Sequence, residues 1–532
     1  MSENSGFPVE TRTSAARGYV EAVAAVNRGD WARAMPLLRS LLDASPDLPH
    51  VHYLLSVAAL AVGEGEEALT HSHRALELQP DEAGYVLQAA RVISQIRSPQ
   101  QALGVASDAI ARVWNDGSLC QQLSAIFARA NAYEQAARLS ARALELLPGD
   151  AATHFNHATT SLFIGDLDAA EKSYQRVLSF APDHAQAHLG LAQLKKWTPE
   201  ANHIPRLLAR LGEARQDVVR MYLHLALAKE YEDVGEFAKA FRHLSTGKAV
   251  GRTLSRYDAR SETTCFRLLT DGWIDAAGQG DGCPNGEPIF IVGMPRTGTT
   301  LVDRILSSHS SVQSIGEVLN FPSLVKRASG SRTRPLIDPD TLHRASGIDW
   351  ASLGEKYVAS TRPLTGHRPR FIDKHPHNFL YIGMIASALP QAKIICLRRP
   401  PLDTCLSNFR QLFSPASPYH GYSFDLLDTG RYYLQYQRFM QHAEQRLGGR
   451  VLWVEYEELV AAQERETRRI LDFCQLEWQE ECLRFERNVS PVATASVVQV
   501  REKLHGDAMG RWRHYSDELQ PLAALLASEG ID

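Results

Sequence analysis

The first half of the chain repeats its small and apolar residues with a fixed period. Alanine recurs every 34 residues, and a second small residue precedes each alanine by 12 positions. The alanines are Ala34, Ala68, Ala102, Ala136 and Ala170, and the preceding residues are Ala22, Ser56, Ala90, Ser124 and Ala158. Prolines recur with the same period, or twice that period, at Pro46, Pro80, Pro148 and Pro182. This pattern predicts pairs of closely packed helices, each pair ended by a proline that cannot continue the second helix.

The unit resembles the tetratricopeptide repeat, a helix–turn–helix motif of 34 residues. We predict five repeats from about Ala15 to Ala185 and, after a slip of two residues, a sixth around Met221 to Val250. The stretch between them, residues 195–217, is predicted to be helical but out of register. The resemblance implies an all-α solenoid over residues 15–250 with a groove that binds the acceptor or a protein partner. Scaffolding and self-association are alternatives that the repeat pattern leaves open.

Beyond residue 250 the period is lost, and apolar runs alternate with helical patterns. Residues 251–286, which end in a stretch rich in Gly, Asp, Asn and Pro, are predicted to be a linker. Buried strands are predicted at Ile289–Val292, Lys393–Leu397 and Arg450–Val454, with helices in FLYIGMIASAL and GRYYLQYQRFMQHAEQRL. This alternation favours an α/β domain with a parallel sheet over residues 287–532. Its ligand is expected beyond the carboxyl ends of the strands.

The first of these strands leads into a loop that almost matches the P-loop pattern G-x-x-x-x-G-K-[ST]. Gly293, Gly298 and Thr300 are in place, but Thr299 occupies the lysine position. Backbone N–H groups and threonine hydroxyls of such a loop can hold an anion at the start of a helix. Without the lysine, and with no evident metal-binding aspartate downstream, the loop suits a 5'-phosphate better than a triphosphate.

Composition narrows the classes of function. The chain has 57 basic and 61 acidic residues and a net charge of -4, which argues against binding of nucleic acid or of a membrane surface. The sequence shows neither an apolar run of about 18 residues nor a signal-like N-terminus, so we expect no membrane span and no secretion. The seven cysteines have irregular spacing, which favours free thiols in a cytoplasmic protein.

The stretch PRTGTT resembles the 5'-phosphosulfate loop of sulfotransferases that use 3'-phosphoadenosine 5'-phosphosulfate (PAPS). Their second signature, an arginine with a serine eight residues later, is matched by Arg399 and Ser407 in LRRPPLDTCLSNF. Arg398 does not fit, because Leu406 stands eight residues after it. Within this superfamily the chain looks most like the tyrosylprotein sulfotransferases and their bacterial repeat-fused relatives, over about residues 287–525.

The resemblance implies a role for each matched residue. Glu317, 21 residues after Arg296, would be the catalytic base, and Lys374 with Arg296 would stabilise the sulfuryl group and the leaving oxygen. The expected donor-binding residues are Arg296, Thr297, Gly298, Thr299, Thr300, Arg399, Ser407, Tyr456 and Arg501. Lys503 is an alternative to Arg501 as the residue that contacts the donor. No metal is expected, since the fixed cationic side chains would stabilise the charge on the sulfuryl group and the leaving oxygen. The pair His375 and His377 also lacks a third ligand nearby.

We therefore predict a PAPS-dependent sulfotransferase that acts on a hydroxyl group, either a protein tyrosine or a phenol. Its expected partners are an acceptor peptide, protein or small phenol, and a protein in the repeat groove. A saccharide acceptor stays open, and a homodimer is compatible with the family although no stretch indicates it. Two other classes of function also stay open. One is a P-loop nucleotide kinase or triphosphatase, which Thr299 disfavours. The other is a non-catalytic repeat adaptor.

Overall fold

The computed structural model describes residues 9–255, 257–274, 282–415, 417, 419–492 and 498–531. The chain forms two compact units, Met1–Thr160 and Ser161–Asp532. The division by sequence type into 15–250, 251–286 and 287–532 is a different one and stays a prediction. In the described part of the chain, no helix combines the length and the apolar content that crossing a bilayer requires.

The first unit consists of helices in antiparallel pairs. Its helices are α1 (Val9–Asn27), α2 (Trp31–Ala44), α3 (Pro49–Val62), α4 (Gly65–Leu78), α5 (Ala83–Ile96), a 3-10 turn (Gln100–Ala102), α6 (Leu103–Val113), α7 (Gly117–Arg129), α8 (Tyr133–Leu146) and α9 (Ala151–Ile164), the last of which extends past the unit boundary. Pro46, Pro80 and Pro148 each follow the end of a second helix by two residues. Ala22 and Ala34 are fully buried in one cluster, because side chains this small let the two helices approach. The predicted helical repeats are confirmed.

The second unit begins with more helices of the same kind. They are α10 (Leu167–Phe180), α11 (Ala185–Gln193), α12 (Ile204–Glu213), α13 (Asp217–Asp233), α14 (Phe237–Leu254) and α15 (Ala259–Asp271). Helices α13 and α14 form the predicted sixth pair. The predicted helix over residues 195–217 is confirmed only at Ile204–Glu213. Pro199 interrupts the pattern before it, and Pro205 stands in the first turn of the helix, where its missing N–H is tolerated.

The segment predicted as a linker contains a helix. Phe266 and Leu269 of α15 are buried in the main core of the second unit, so this part of residues 251–286 is structured. Within the same segment, residues 256 and 275–281 lie outside the described residues, and these include the first half of the Gly-rich stretch on which the linker prediction was based.

Five parallel strands form the sheet of the second unit. They are β1 (Pro288–Gly293), β2 (Val312–Ser314), β3 (Arg370–Asp373), β4 (Lys393–Arg398) and β5 (Val451–Glu455), in the order β2-β3-β1-β4-β5. The three predicted strands and the α plus α/β fold class are confirmed. Strands β2 and β3 were missed because they are short and carry polar residues such as Gln313 and Arg370.

Helices cover both faces of the sheet. In β1, Phe290 and Val292 pack into one apolar cluster, whereas Ile289 and Ile291 pack into another. The helices are α16 (Thr299–Ser307), α17 (Asn320–Ala328), α18 (Pro339–Arg344), α19 (Trp350–Thr365), α20 (Ile382–Ala388), α21 (Pro401–Arg410), α22 (Leu426–Leu447), α23 (Tyr456–Ala461), α24 (Gln463–Phe473) and α25 (Gln520–Ala527). Short 3-10 segments lie at Ala345–Gly347, Pro376–Tyr381, Gly421–Phe424, Gly448–Arg450, Glu480–Arg487, Gln499–Arg501 and Arg511–Tyr515.

Candidate active site

The loop between β1 and α16 is held by two glycines that no other residue could replace without strain. Gly293 has φ +137°, and a Cβ there would lie 2.7 Å from the carbonyl oxygen of Leu397. Gly298 has φ +101°, and a Cβ there would lie 2.6 Å from the ring of Tyr456. The loop can therefore pass between β4 and the Tyr456 ring only because both positions lack a side chain.

Arg296, in the middle of this loop, has an unusual backbone conformation. Its φ is +67°, in the left-handed region that side chains other than glycine seldom adopt. Strain of this kind costs on the order of 1–3 kcal/mol and is found most often at functional sites. The Arg296 guanidinium donates a hydrogen bond of 3.1 Å to the side-chain oxygen of Gln499. The loop and the segment around residue 499 are thus joined directly.

A cavity of about 400 Å³ opens at the carboxyl ends of the strands, where the sequence predicted a ligand. The structure brings eight of the predicted site residues into its wall. They are Arg296, Gly298, Thr299, Thr300, Glu317, Arg399, Ser407 and Tyr456. These residues come from four places in the chain: the loop and start of α16, the segment after β2, the region from β4 into α21, and the start of α23.

The other three predicted residues do not line the cavity. The hydroxyl of Thr297 donates to the carbonyl oxygen of Met294 at 2.8 Å. Lys374 is buried and directs its ammonium group to Glu317. Arg501 donates a hydrogen bond of 3.1 Å to the carbonyl oxygen of Phe163. Of the two candidates for the last position, Lys503 is the one in the cavity wall.

One side of the cavity carries a strong positive charge. Arg296, Arg399, Arg410 and Arg511 all line it. Burial lowers the pKa of Arg296 to about 10, and the positive charges of Arg410, Arg399 and Arg511 add to this effect. A group of guanidinium side chains that destabilise one another's charge is an arrangement that favours a bound polyanion.

Arg399 is held at the edge of this positive side by contacts on several sides. It donates to the carbonyl oxygens of Arg296, at 3.2 Å, and of Ala508. Its guanidinium lies 5.1 Å from the ring centroid of Tyr456. Its Nε is buried and has no hydrogen-bond partner among the described residues. This Nε lies 3.8 Å from Oε1 of Glu457, an ion-pair distance, so the guanidinium is fixed in place.

Glu317, in the cavity wall, forms an ion pair with Lys374. Lys374 is buried, whereas 42% of the Glu317 side chain stays accessible because it faces the cavity. Burial acts to raise the pKa of Glu317, but the Lys374 ammonium outweighs this, and the net effect is a pKa below the usual value. Glu317 is therefore a carboxylate at neutral pH, and it can accept a proton from a group in the cavity.

Another part of the cavity wall is neutral and largely aromatic. It includes His375, His377, Phe413 and His420, with Phe413 stacked on His420 at a centroid distance of 3.9 Å. Burial lowers the pKa of His375 to about 4 and that of His420 to about 3, so these imidazoles are neutral at pH 7. Both ring nitrogens of His375 lack hydrogen-bond partners among the described residues. This wall offers flat apolar surface with a few polar atoms.

The sequence reasoning missed several residues of this site. Arg410 follows Ser407 by three residues on α21, so their shared helix face could have indicated it. Gln499 and Arg511 lie in QVREKLHGDAMGRW, residues 499–512, where only Arg501 and Lys503 were considered as donor-binding residues. His420 gave no comparable signal. Over the described residues, no group of three or more His, Cys, Asp or Glu side chains is arranged to hold a metal ion.

Comparisons with known proteins agree with this geometry. Residues 288–480 match the sulfotransferase family, and residues 25–91 match the tetratricopeptide repeat. A protein of Aquifex aeolicus (strain VF5), described as uncharacterized, is 27% identical over 462 residues, which are 85% of this chain and 60% of the relative. The chain thus spans less than two thirds of that relative.

Two further similarities concern proteins described as sulfotransferases. A putative protein-tyrosine sulfotransferase of Caenorhabditis briggsae is 24% identical over 257 residues, which are 46% of this chain and 89% of the relative. The sulfotransferase domain from the curacin biosynthetic pathway aligns with a TM-score of 0.33 and 14% identity, over 48% of this chain and 99% of that domain. The chain thus combines a segment that matches the tetratricopeptide repeat with a domain that matches the sulfotransferase family.

Proposed function

We propose that the chain transfers a sulfuryl group from PAPS to an acceptor hydroxyl, either of a protein tyrosine or of a phenol. The observation that carries the proposal is the cavity itself. It has a positive wall of four arginines around a loop that lacks the lysine of triphosphatases, and a carboxylate, Glu317, faces the same space. A donor with separate 3'- and 5'-phosphates suits this spread of positive charge better than a linear triphosphate does.

The loop and α21 are suited to the two phosphates of the donor. The N–H groups at the start of α16 and the hydroxyls of Thr299 and Thr300 would hold the 5'-phosphosulfate. Arg399 and Ser407 would hold the 3'-phosphate, and Lys503 rather than Arg501 would add a charge on this side. Tyr456 packs on the loop at Gly298, so its role would be to fix both elements.

Glu317 would take the proton of the acceptor hydroxyl. The acceptor oxygen forms a bond to sulfur, the bond from sulfur to the bridging phosphate oxygen breaks, and the electron pair of that bond leaves with the phosphate. Arg296 would stabilise the charge on the leaving oxygen. Lys374 would act through its ion pair with Glu317, because its ammonium keeps the carboxylate ionised and oriented.

The neutral wall supports a phenolic acceptor. An aromatic ring would find flat partners in Phe413 and His420, and the orphaned nitrogens of His375 could bind a polar group beside it. The HPH motif would thus contribute to the acceptor side of the cavity and not to a metal site.

We propose that the repeats bind the acceptor protein or another partner, since stacked helix pairs of this kind form a groove. A cytoplasmic location is proposed as well, because all seven cysteines are free thiols.

Titration calorimetry with 3'-phosphoadenosine 5'-phosphate, the product nucleotide, tests the donor site. We expect the wild-type chain to bind it, Arg399→Ala to lose the binding, and ATP with Mg²⁺ to bind poorly. Arg398→Ala is the matched control, because Arg398 pairs instead with Glu444 at 2.7 Å. A preference for ATP would support the kinase alternative. The absence of nucleotide binding would support the adaptor alternative. Transfer of labelled sulfate from PAPS to tyrosine peptides and to small phenols then identifies the acceptor.

A further inference from the structure

The last helix pair of the repeats, α13 and α14, supplies two ionisable side chains to the surroundings of the cavity, one largely buried and one fully buried. Glu232 lies near the end of α13, and Lys248 lies on α14. Neither residue lines the cavity, but both contact residues that do. All of these residues belong to the second compact unit.

Glu232 binds three side chains that come from distant parts of the sequence. Its Oε2 accepts hydrogen bonds of 2.8 Å from Arg410 Nε and from the Tyr515 hydroxyl. Its Oε1 accepts one of 2.9 Å from Arg511 and a second contact from Arg410. The carboxylate therefore joins two of the four arginines of the cavity wall.

This arrangement needs a negative charge at Glu232. Burial acts to raise the pKa of Glu232, but Arg410 and Arg511 outweigh it and hold the pKa below its usual value. The two guanidinium groups would otherwise repel each other and Arg296. A single carboxylate between them fixes the direction of both, as bidentate contacts to arginine do.

Lys248 secures a second part of the cavity wall from the same helix pair. Its ammonium donates hydrogen bonds of 2.6 Å to the carbonyl oxygen of Gln411 and 3.0 Å to that of Ser423. Gln411 lines the cavity directly after α21. Two independent contacts thus run from the last repeat to the cavity, one through side chains and one through the backbone.

We propose that Glu232 is a positioning residue of the active site, so that the last repeat is a working part of the sulfotransferase and not only a binding module. Glu232 sets the geometry of Arg410 and Arg511 against the anionic donor. The identity of that donor rests on the proposed function, whereas the role of Glu232 in shaping the arginine wall does not. Residues 217–254 would then be needed for donor binding even when no partner occupies the repeats.

A purely electrostatic role for Glu232 makes the opposite prediction. If the carboxylate only lowered the positive potential of the cavity, its removal would strengthen the binding of an anion. If it positions the arginines, its removal lets them move and weakens binding, since a displacement of about 1 Å can cost on the order of 100-fold. The sign of the change therefore separates the two roles.

The test uses the full-length chain in four forms: wild type, Glu232→Gln, Glu232→Asp and Glu213→Gln. Glu213 is the matched control, because it is an exposed glutamate on the neighbouring helix α12 and pairs only locally with Arg210 among the described residues. Calorimetry with 3'-phosphoadenosine 5'-phosphate gives the affinity, and steady-state sulfate transfer gives kcat and KM separately. We expect Glu232→Gln to weaken nucleotide binding about 10- to 100-fold, with Glu232→Asp in between and Glu213→Gln unchanged.

Tyr515→Phe keeps the test decisive if Glu232→Gln does not fold. It removes one hydrogen bond to Glu232 and leaves both arginines in place, so a severalfold weaker affinity is expected. Unchanged or tighter binding in Glu232→Asp and Tyr515→Phe would overturn the proposal. The same titrations with inorganic pyrophosphate probe the arginine wall alone. A wild-type chain that binds pyrophosphate but not the nucleotide would refute the proposed donor, and the comparison of variants would still decide the role of Glu232.

Discussion

Gly298 offers a sharp test of how the loop is held against the Tyr456 ring. The change Gly298→Ala introduces a Cβ at φ +101°, 2.6 Å from one ring carbon of Tyr456 and 3.2 Å from a second. The left-handed backbone costs a residue with a side chain about 1–2 kcal/mol. The overlap with the ring adds about 1–3 kcal/mol unless the ring moves away. A moved ring would also lose its contact with Arg399, whose guanidinium lies 5.1 Å from the ring centroid.

The expected result has two parts. Hydrogen exchange of backbone amides in β1 and α16 should report a loss of local stability that exceeds the backbone contribution alone. Calorimetry with 3'-phosphoadenosine 5'-phosphate should report at least a tenfold weaker affinity, which corresponds to about 1.4 kcal/mol. Both effects follow from one displaced ring.

Gly330→Ala is the matched control. Gly330 also has a positive φ, +67°, but a Cβ there would meet nothing within 4 Å. The Gly330→Ala variant should lose only the stability that a left-handed backbone costs a residue with a side chain, and its affinity for the nucleotide should not change. A double-mutant cycle with Tyr456→Ala then isolates the overlap, because the added methyl group has room once the ring is gone. Equal losses in Gly298→Ala and Gly330→Ala, with normal nucleotide affinity, would refute the reasoning.

Three further predictions concern the Glu317–Lys374 ion pair and the repeats. Glu317→Gln should lower kcat about 100-fold or more, because a general base contributes that much. The nucleotide affinity of this variant should stay near that of the wild type. Full turnover would exclude Glu317 as the base. Lys374→Met removes the charge that lowers the Glu317 pKa, so the acid limb of the kcat/KM profile should move to higher pH; an unmoved limb would contradict the ion pair's role. In the wild type, activity should persist until the pH falls through this lowered pKa. Ala34→Leu overfills a fully buried helix contact and should cost about 1–3 kcal/mol by hydrogen exchange in α1 and α2, whereas Ala44→Leu at the exposed end of α2 should cost little.

The fold was largely predictable because its signals are local or periodic. A period of 34 residues requires no knowledge of distant contacts, and the helix ends two residues before Pro46 and Pro80 followed from the chemistry of proline alone. The strands β1, β4 and β5 are apolar runs and were found. Strands β2 and β3 were not, since strands of three and four residues with polar ends carry no pattern that distinguishes them from loops.

Two groups of site residues show what the sequence can and cannot predict. The first is Arg399 with Ser407, and the second is Glu232 with Arg410 and Arg511. Arg399 and Ser407 lie eight residues apart, at the end of one strand and on the helix that follows, so a short motif could indicate both residues. The convergence of Arg410, Arg511 and Glu232 joins positions 178 and 279 residues apart, and no local pattern encodes it. The sequence by itself determined the repeat, the order of strand, loop and helix, and the loop without a lysine. Only the tertiary structure decided which charges share the cavity, because burial and pairing depend on groups that meet after the chain has folded.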